Sequence, residues 1–270
     1  MNKLKDPHRS ILQRAIEYPG HLKNWWVWKT GFCRRLRKIE PVFIFQMGKV
    51  ASKSIQKSLE KAYPGGVIHG HDFSLSYRQG EVQELYRYWH GKNPPERMLL
   101  VSLVRNPVDR NVSAFFENFE TCTGINPENF TWDAEEILSL FLEKNYHQTP
   151  ENWFDHNTKK LFGVDVYTKP FPDEGAVCIE HPKTPMLVMR MESSDEVKIR
   201  ALSNYLSIGP FPIERYNDSS TRDFGSLYKR FKEEVKLPRS YVEEQVSTKY
   251  FKHFYPGKEQ ATFEKWCSPT

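Results

Sequence analysis

The sequence predicts a three-layer α/β fold with a central, mainly parallel sheet flanked by helices. Three observations carry the prediction. Five short, continuously apolar runs read as strands buried on both faces: VFIFQ (42–46), VIH (67–69), MLLVSLV (98–104), AVCI (176–179) and MLVMR (186–190). Segments of helical periodicity stand between them. Cap and turn residues mark the joins, and strands alternating with helices are the pattern of parallel βαβ units.

Each element has its own signal. Residues 1–40 read as an N-terminal helical extension that Pro41 ends, leaving 41–270 as the main domain. Ser52 to Tyr63 repeats Ile55, Leu59 and Ala62 on one helical face, and the PGG at 64–66 stops it. Asn106 is the N-cap of a helix over 106–119 with Pro107 at its first position. Val108, Val112, Phe115 and Phe119 form its apolar stripe. Thr131 is expected to cap a helix reaching about Lys144, and Thr149 with Pro150 to open another that ends near Gly163. Ser193 and Glu196 make a capping box for a helix over 194–206. Two amphipathic segments, 222–235 and 240–254, close the chain.

Composition narrows the function classes. Hydrophobic residues are 39% and aromatic residues 14% of 270, enough for a sizeable core. A formal net charge of +5 suits an anionic ligand but is too small to argue for nucleic acid. Cys33, Cys122, Cys178 and Cys267 stand far apart with no CxxC, so neither a metal nor a disulfide pattern is present and a reduced, cytoplasmic protein is expected. No run approaches the roughly 18 apolar residues of a membrane span, and the N-terminus lacks the apolar centre of a secretory signal. The segment NWWVWKTGFCRRLRK (24–38) is aromatic and then basic. It reads first as a helix docking its tryptophans on the domain, with peripheral contact to a membrane surface as the rival.

Ligands of parallel sheets sit at the carboxyl ends of the strands, and that rule selects three segments. The first is QMGKVASKS (46–54), a tight strand-to-helix turn. Free backbone N–H groups and the positive helix end favour phosphate or sulfate there. Gly48, Lys49, Val50, Ala51, Ser52, Lys53 and Ser54 make up this loop; Lys49 adds a mobile charge, Ser52 and Ser54 add hydroxyls. The Walker spacing GxxxxGK[ST] is absent, which disfavours a magnesium-bound nucleoside triphosphate. The second segment is LVRNPVDRNVS (103–113). Arg105 leaves the strand where a ligand would lie, and Ser113 falls off the apolar stripe on the side of Asn106. Both face a common point suited to a second phosphate. An Arg105–Asp109 ion pair with a solvated serine is the plainer alternative. The third segment is VIHGHDFS (67–74), where His69 and His71 flank a glycine. An imidazole there can act as general base; a metal pair is the rival, without a clear third ligand.

Together FQMGKVASKSI, HGHDF and VRNPVDRNVSAFF resemble the sulfotransferases that use 3′-phosphoadenosine 5′-phosphosulfate. The nearest pattern is that of carbohydrate sulfotransferases, whose donor loop reads like KVxSTS. NWFDHNTKKLFGVDVY (152–167) is similar to a segment of bacterial capsular polysaccharide synthesis proteins. The resemblance spans roughly residues 41–230 and implies a P-loop-like form of the fold. It also implies roles. Lys49, Ser52 and the loop backbone would hold the 5′-phosphosulfate, Arg105 and Ser113 the 3′-phosphate, and His71, with His69 beside it, would supply the base. Lys53 stands where the family often has Thr. A later donor loop is matched by NDSSTRDFGSLY (217–228), with Arg222 as a ligand. Arg190 and Glu192, at another strand end, are either acceptor contacts or an ion pair. The implied reaction is metal-free sulfuryl transfer to a hydroxyl, with a saccharide as the expected acceptor. Two other classes stay open: a P-loop kinase or NTPase with a degenerate loop, which needs an acidic magnesium ligand at a strand end, and a non-catalytic nucleotide-fold binding protein.

Overall fold

The computed structural model describes residues 30–31, 34, 36–73, 80–215 and 224–268. Five strands form one sheet: β1 (Val42–Phe45), β2 (Val67–Gly70), β3 (Leu99–Val104), β4 (Ala176–Ile179) and β5 (Met186–Arg190). Their spatial order is β2-β1-β3-β5-β4. β1 lies parallel to β2 and β3, with Val42 level with both Val67 and Leu99, and β3 lies parallel to β5. β4 pairs antiparallel to β5 at the edge. The link 180–185 is too short for a crossover helix, so β4 has to return as a hairpin. Every residue of β1 and β3 is buried, as their unbroken apolar runs predict. Each fully buried Leu, Val or Phe contributes roughly 1.5–3 kcal/mol.

The helices are α1 (Ser52–Ala62), α2 (Gly80–Trp89), α3 (Pro107–Glu117), α4 (Phe119–Thr123), α5 (Ala134–Lys144), α6 (Thr149–Phe154), α7 (Lys160–Phe162), α8 (Asp195–Leu206), α9 (Gly225–Glu234), α10 (Arg239–Ser247), α11 (Lys249–Phe254) and α12 (Glu259–Trp266). A π-helical turn, Asp155–Lys159, joins α6 to α7. The chain steps from β1 outward to β2, then returns past β1 to β3. Strand order therefore reverses at β1. Such a switch point opens a crevice at the carboxyl ends, where ligands of α/β sheets bind.

Several boundaries move from their expected places for local reasons. Asp133, not Thr131, caps α5: its carboxylate accepts from the N–H groups of Glu135 and Glu136, both at 2.9 Å. Ser194 caps α8 because the Ser193 hydroxyl donates to the Glu174 carbonyl. The segment 240–254 divides at Thr248, whose hydroxyl accepts from Phe251 N–H and restarts the helix. α2 and α12 were not anticipated. Asn106 caps α3 as expected, accepting from Val108 N–H at 3.0 Å, and Val108, Val112, Phe115 and Phe119 are buried. The extension up to residue 29, Cys33 and the loop carrying Arg222 lie outside the described residues. Among the described residues, no helix is long and apolar enough to cross a membrane.

Candidate active site

Gln46 to Ala51 connect β1 to α1. Two non-glycine residues here are left-handed, Lys49 at φ 74° and Ala51 at φ 60°. Gly48 is not one of them. The left-handed region costs an L-residue roughly 1–2 kcal/mol, and strain of this kind gathers at functional turns. Ala51 is the N-cap of α1 and offers no side-chain acceptor to the first turn. Left-handed residues in such a turn aim successive N–H groups to one side and make a seat for an anion.

Two arginines brace the loop through its carbonyls. Arg105 Nη1 donates to the Lys49 carbonyl at 3.0 Å, and Arg110 Nε to the Gly48 carbonyl at 3.3 Å. Arg105 itself is pinned at the end of β3. Its N–H donates to the Tyr250 hydroxyl at 3.1 Å, and that hydroxyl donates back to its carbonyl at 2.9 Å. Arg105 Nε is buried with no protein partner, which leaves a donor for an anion. Arg110 is buried, with Nη1 on Asn111 Oδ1 at 3.1 Å. Burial pulls its pKa down to about 10, so it stays charged at neutral pH. The alternative Arg105–Asp109 pair does not form; Asp109 takes Lys265 at 2.6 Å.

The Lys49 ammonium meets Glu117 Oε1 at 2.6 Å. Ser113 is half-buried and lies one turn before Glu117 on α3, so the two share a face. Arg105 touches the loop directly, while Ser113 shares an α3 face with Glu117, the residue that Lys49 reaches.

The histidines differ in what their rings do. His69, on β2, has Nε2 2.7 Å from Ser52 Oγ and 3.4 Å from Gln46 Nε2. Burial first, then the charges of His71 and Lys53, lower its pKa to about 3, so it stays neutral. His71 has Nδ1 3.0 Å from the Gln46 carbonyl. A carbonyl only accepts, so Nδ1 carries the proton and Nε2 presents a lone pair. Trp153 Nε1 donates to the His71 carbonyl at 3.4 Å. Although one side of His71 is open to solvent, burial of the rest lowers its pKa, with Lys49, Lys53 and Arg110 adding to the effect; the Gln46 bond opposes them. The two rings meet edge to face at 4.8 Å. Lys53, exposed, acts electrostatically on both, so its charge sits toward the histidine end of the loop.

Arg190 and Glu192 serve other partners. Arg190 donates to the carbonyls of Phe254 and Asp173. Glu192 accepts from Asn106 N–H at 3.0 Å and from the Tyr255 hydroxyl at 2.9 Å. These bonds tie the C-terminal helices onto the ends of β3 and β5. Among the described residues, no group of three or more His, Cys, Asp or Glu is placed to hold a metal ion.

Residues 131–256 match the family model described as "Putative capsular polysaccharide synthesis protein". The match covers a little under half of the chain and links it to a polysaccharide-synthesis-related family. No curated protein and no solved structure matches. The matched span begins after the loop, the two histidines and Arg105. It supplies Trp153 against His71 and Tyr250 behind Arg105, and it contains the segment 152–167 expected to resemble that family. Sequence reasoning missed Gln46, Arg110, Glu117 and Tyr250. Arg110 falls off the apolar stripe of α3, so periodicity leaves it in solvent; the loop lying against it removes it from water.

Proposed function

We propose that the chain transfers a sulfuryl group from 3′-phosphoadenosine 5′-phosphosulfate to a hydroxyl of a carbohydrate. The observation that carries this reading is one meeting of parts at the switch point. A strained loop braced by Arg105 and Arg110 lies beside a histidine whose Nε2 is free.

The loop N–H groups of 48–54, Lys49 and Ser52 would hold the 5′-phosphosulfate. Arg105, through its unpartnered Nε, and Ser113 would hold the 3′-phosphate. His69 would fix the Ser52 hydroxyl rather than move a proton, because its Nε2 is already engaged. His71 Nε2 would take the acceptor hydroxyl proton as the new oxygen–sulfur bond forms. The old bond between sulfur and the bridging oxygen breaks in line, and its electron pair leaves with the phosphate of adenosine 3′,5′-bisphosphate. Lys49 and the start of α1 stabilise that charge. Lys49 must leave Glu117 to do so. The polysaccharide-synthesis family match supports a saccharide acceptor. Arg105, where a kinase would need an acid, favours sulfuryl over phosphoryl transfer.

Calorimetric titration with adenosine 3′,5′-bisphosphate tests the donor assignment. Binding without magnesium, weakened at least tenfold by Arg105→Ala, is expected. Tighter binding of magnesium-ATP than of the bisphosphate would overturn it.

A further inference from the structure

A cavity of about 560 Å³ opens between the segment joining α5 to α6 and the start of α10. Small-molecule sites span roughly 300–1,000 Å³, so its size is that of a ligand pocket. Its lining comes from two short stretches, 142–148 and 238–244. The anion loop, His69, His71 and Arg105 contribute nothing to it. Both stretches lie inside residues 131–256, the span that links the chain to a polysaccharide-synthesis-related family.

Hydrogen bonds fix the inner wall. His147 Nε2 lies 3.0 Å from the Phe141 carbonyl and 3.2 Å from that of Leu142. Carbonyls only accept, so Nε2 carries the proton, and Nδ1 accepts from the Tyr241 hydroxyl at 2.9 Å. Burial lowers the pKa of His147, which keeps the ring neutral at pH 7. Asn111 Nδ2 donates to the His147 carbonyl at 2.9 Å and to the Tyr241 hydroxyl at 3.3 Å. Arg110 in turn holds both Asn111 Oδ1 and the Gly48 carbonyl, so the wall and the anion loop share one frame. A wall set in advance loses little freedom when a ligand binds.

The lining selects the class of ligand. Tyr146 is 83% exposed at the mouth, and Leu142, Pro238 and Tyr241 add apolar surface beside it. Gln148, Ser240 and Glu244 are exposed around them and supply both donors and acceptors. Glu244 is the one ionised side chain among the lining residues. A phosphate, a nucleotide or an acidic sugar would meet that carboxylate with no cation to offset it. One carboxylate is also too few for a metal ion, which takes several ligands. An uncharged sugar ring meets both demands. Its C–H face packs on an aromatic ring, and its hydroxyls both donate and accept.

We infer that this cavity is a saccharide site separate from the reaction centre, in which an uncharged sugar ring stacks on Tyr146 and its hydroxyls pair with Gln148, Ser240 and Glu244. The inference does not rest on the sulfotransferase reading.

Full-length protein applied to an array of neutral, uronic-acid and sulfated oligosaccharides tests it. Neutral oligosaccharides should bind. Calorimetric titration of the best one should weaken at least tenfold in Tyr146→Ala and stay within about threefold in Tyr146→Phe, which keeps the ring. Glu244→Ala should also weaken it. All three positions of change are exposed, so unfolding temperatures should match that of the parent, separating lost binding from lost fold. No binding of neutral oligosaccharides, binding confined to acidic ones, or undiminished binding by Tyr146→Ala would overturn the inference. Affinity for adenosine 3′,5′-bisphosphate should be the same in Tyr146→Ala as in the parent; a matching loss there would overturn the separateness of the site. Neutral-sugar binding that depends on Tyr146, in a protein that does not bind the bisphosphate, would keep the saccharide site and end the sulfotransferase reading.

Discussion

Nδ1 of His71 is committed to the Gln46 carbonyl, so a proton can enter the ring only at Nε2. His71→Gln should therefore lower turnover by roughly 10²–10⁴-fold, the usual worth of a general base. Bisphosphate affinity should be unchanged, and a variant with normal turnover would remove His71 from the reaction. Because the pKa of His71 is depressed, the ring stays neutral to below the ordinary value of 6.5. The acid limb of kcat/KM should lie below that value, as a pH–rate profile will show. Glu117 holds Lys49 when no anion competes. Both side chains are partly exposed, so the pair is worth only about 0.2–1 kcal/mol. Glu117→Gln should tighten bisphosphate binding by up to about fivefold; calorimetry showing weaker binding would contradict a restraining role. At this scale Lys49, Ser52, Arg105 and His71 were legible because each lies in a short motif at a strand end. Gln46, Glu117 and Tyr250 were not, since their partners lie far along the chain.

The loop between β1 and α1 carries its strain at Lys49 and Ala51. Glycine at 51 relieves the left-handed penalty but makes the unfolded chain more disordered, so the two effects partly cancel. Ala51→Gly should stabilise the fold by a few tenths to about 1 kcal/mol in urea unfolding; a loss of stability would mean that the left-handed conformation is wrong. Strands and the capped start of α3 were readable because buried runs and Asn106-Pro107 are local signals. The π turn was not. Its sequence continues a helical pattern, and the bonds of Asn157 and Thr158 to carbonyls four residues back are ones an ordinary α-helix also makes. Thr248 likewise divides a segment whose amphipathic pattern runs straight through.

Across the molecule, parallel pairing of β2, β1 and β3 brings segments near residues 50, 70 and 105 to one crevice. The order of elements predicted that convergence, whereas the reversed β4 followed from a link too short to cross over. The same burial that keeps the histidines neutral sets a pH dependence for folding. His69 has a folded pKa of about 3 against 6.5 unfolded, so its contribution is whole above 6.5 and is lost as pH falls toward 3. The loss runs at up to about 1.4 kcal/mol per pH unit. His69→Gln should flatten the acid side of a stability–pH curve measured by denaturant unfolding; an unchanged slope would place His69 in a more solvated setting.

Sulfuryl transfer itself is the most direct test. Purified protein is incubated with donor carrying ³⁵S in its sulfuryl group and a panel of neutral and acidic glycans, without added metal. Label should pass to a glycan hydroxyl, and His71→Gln should abolish most of that transfer. No transfer to any acceptor, together with phosphoryl transfer from ATP by the same preparation, would contradict the proposed chemistry.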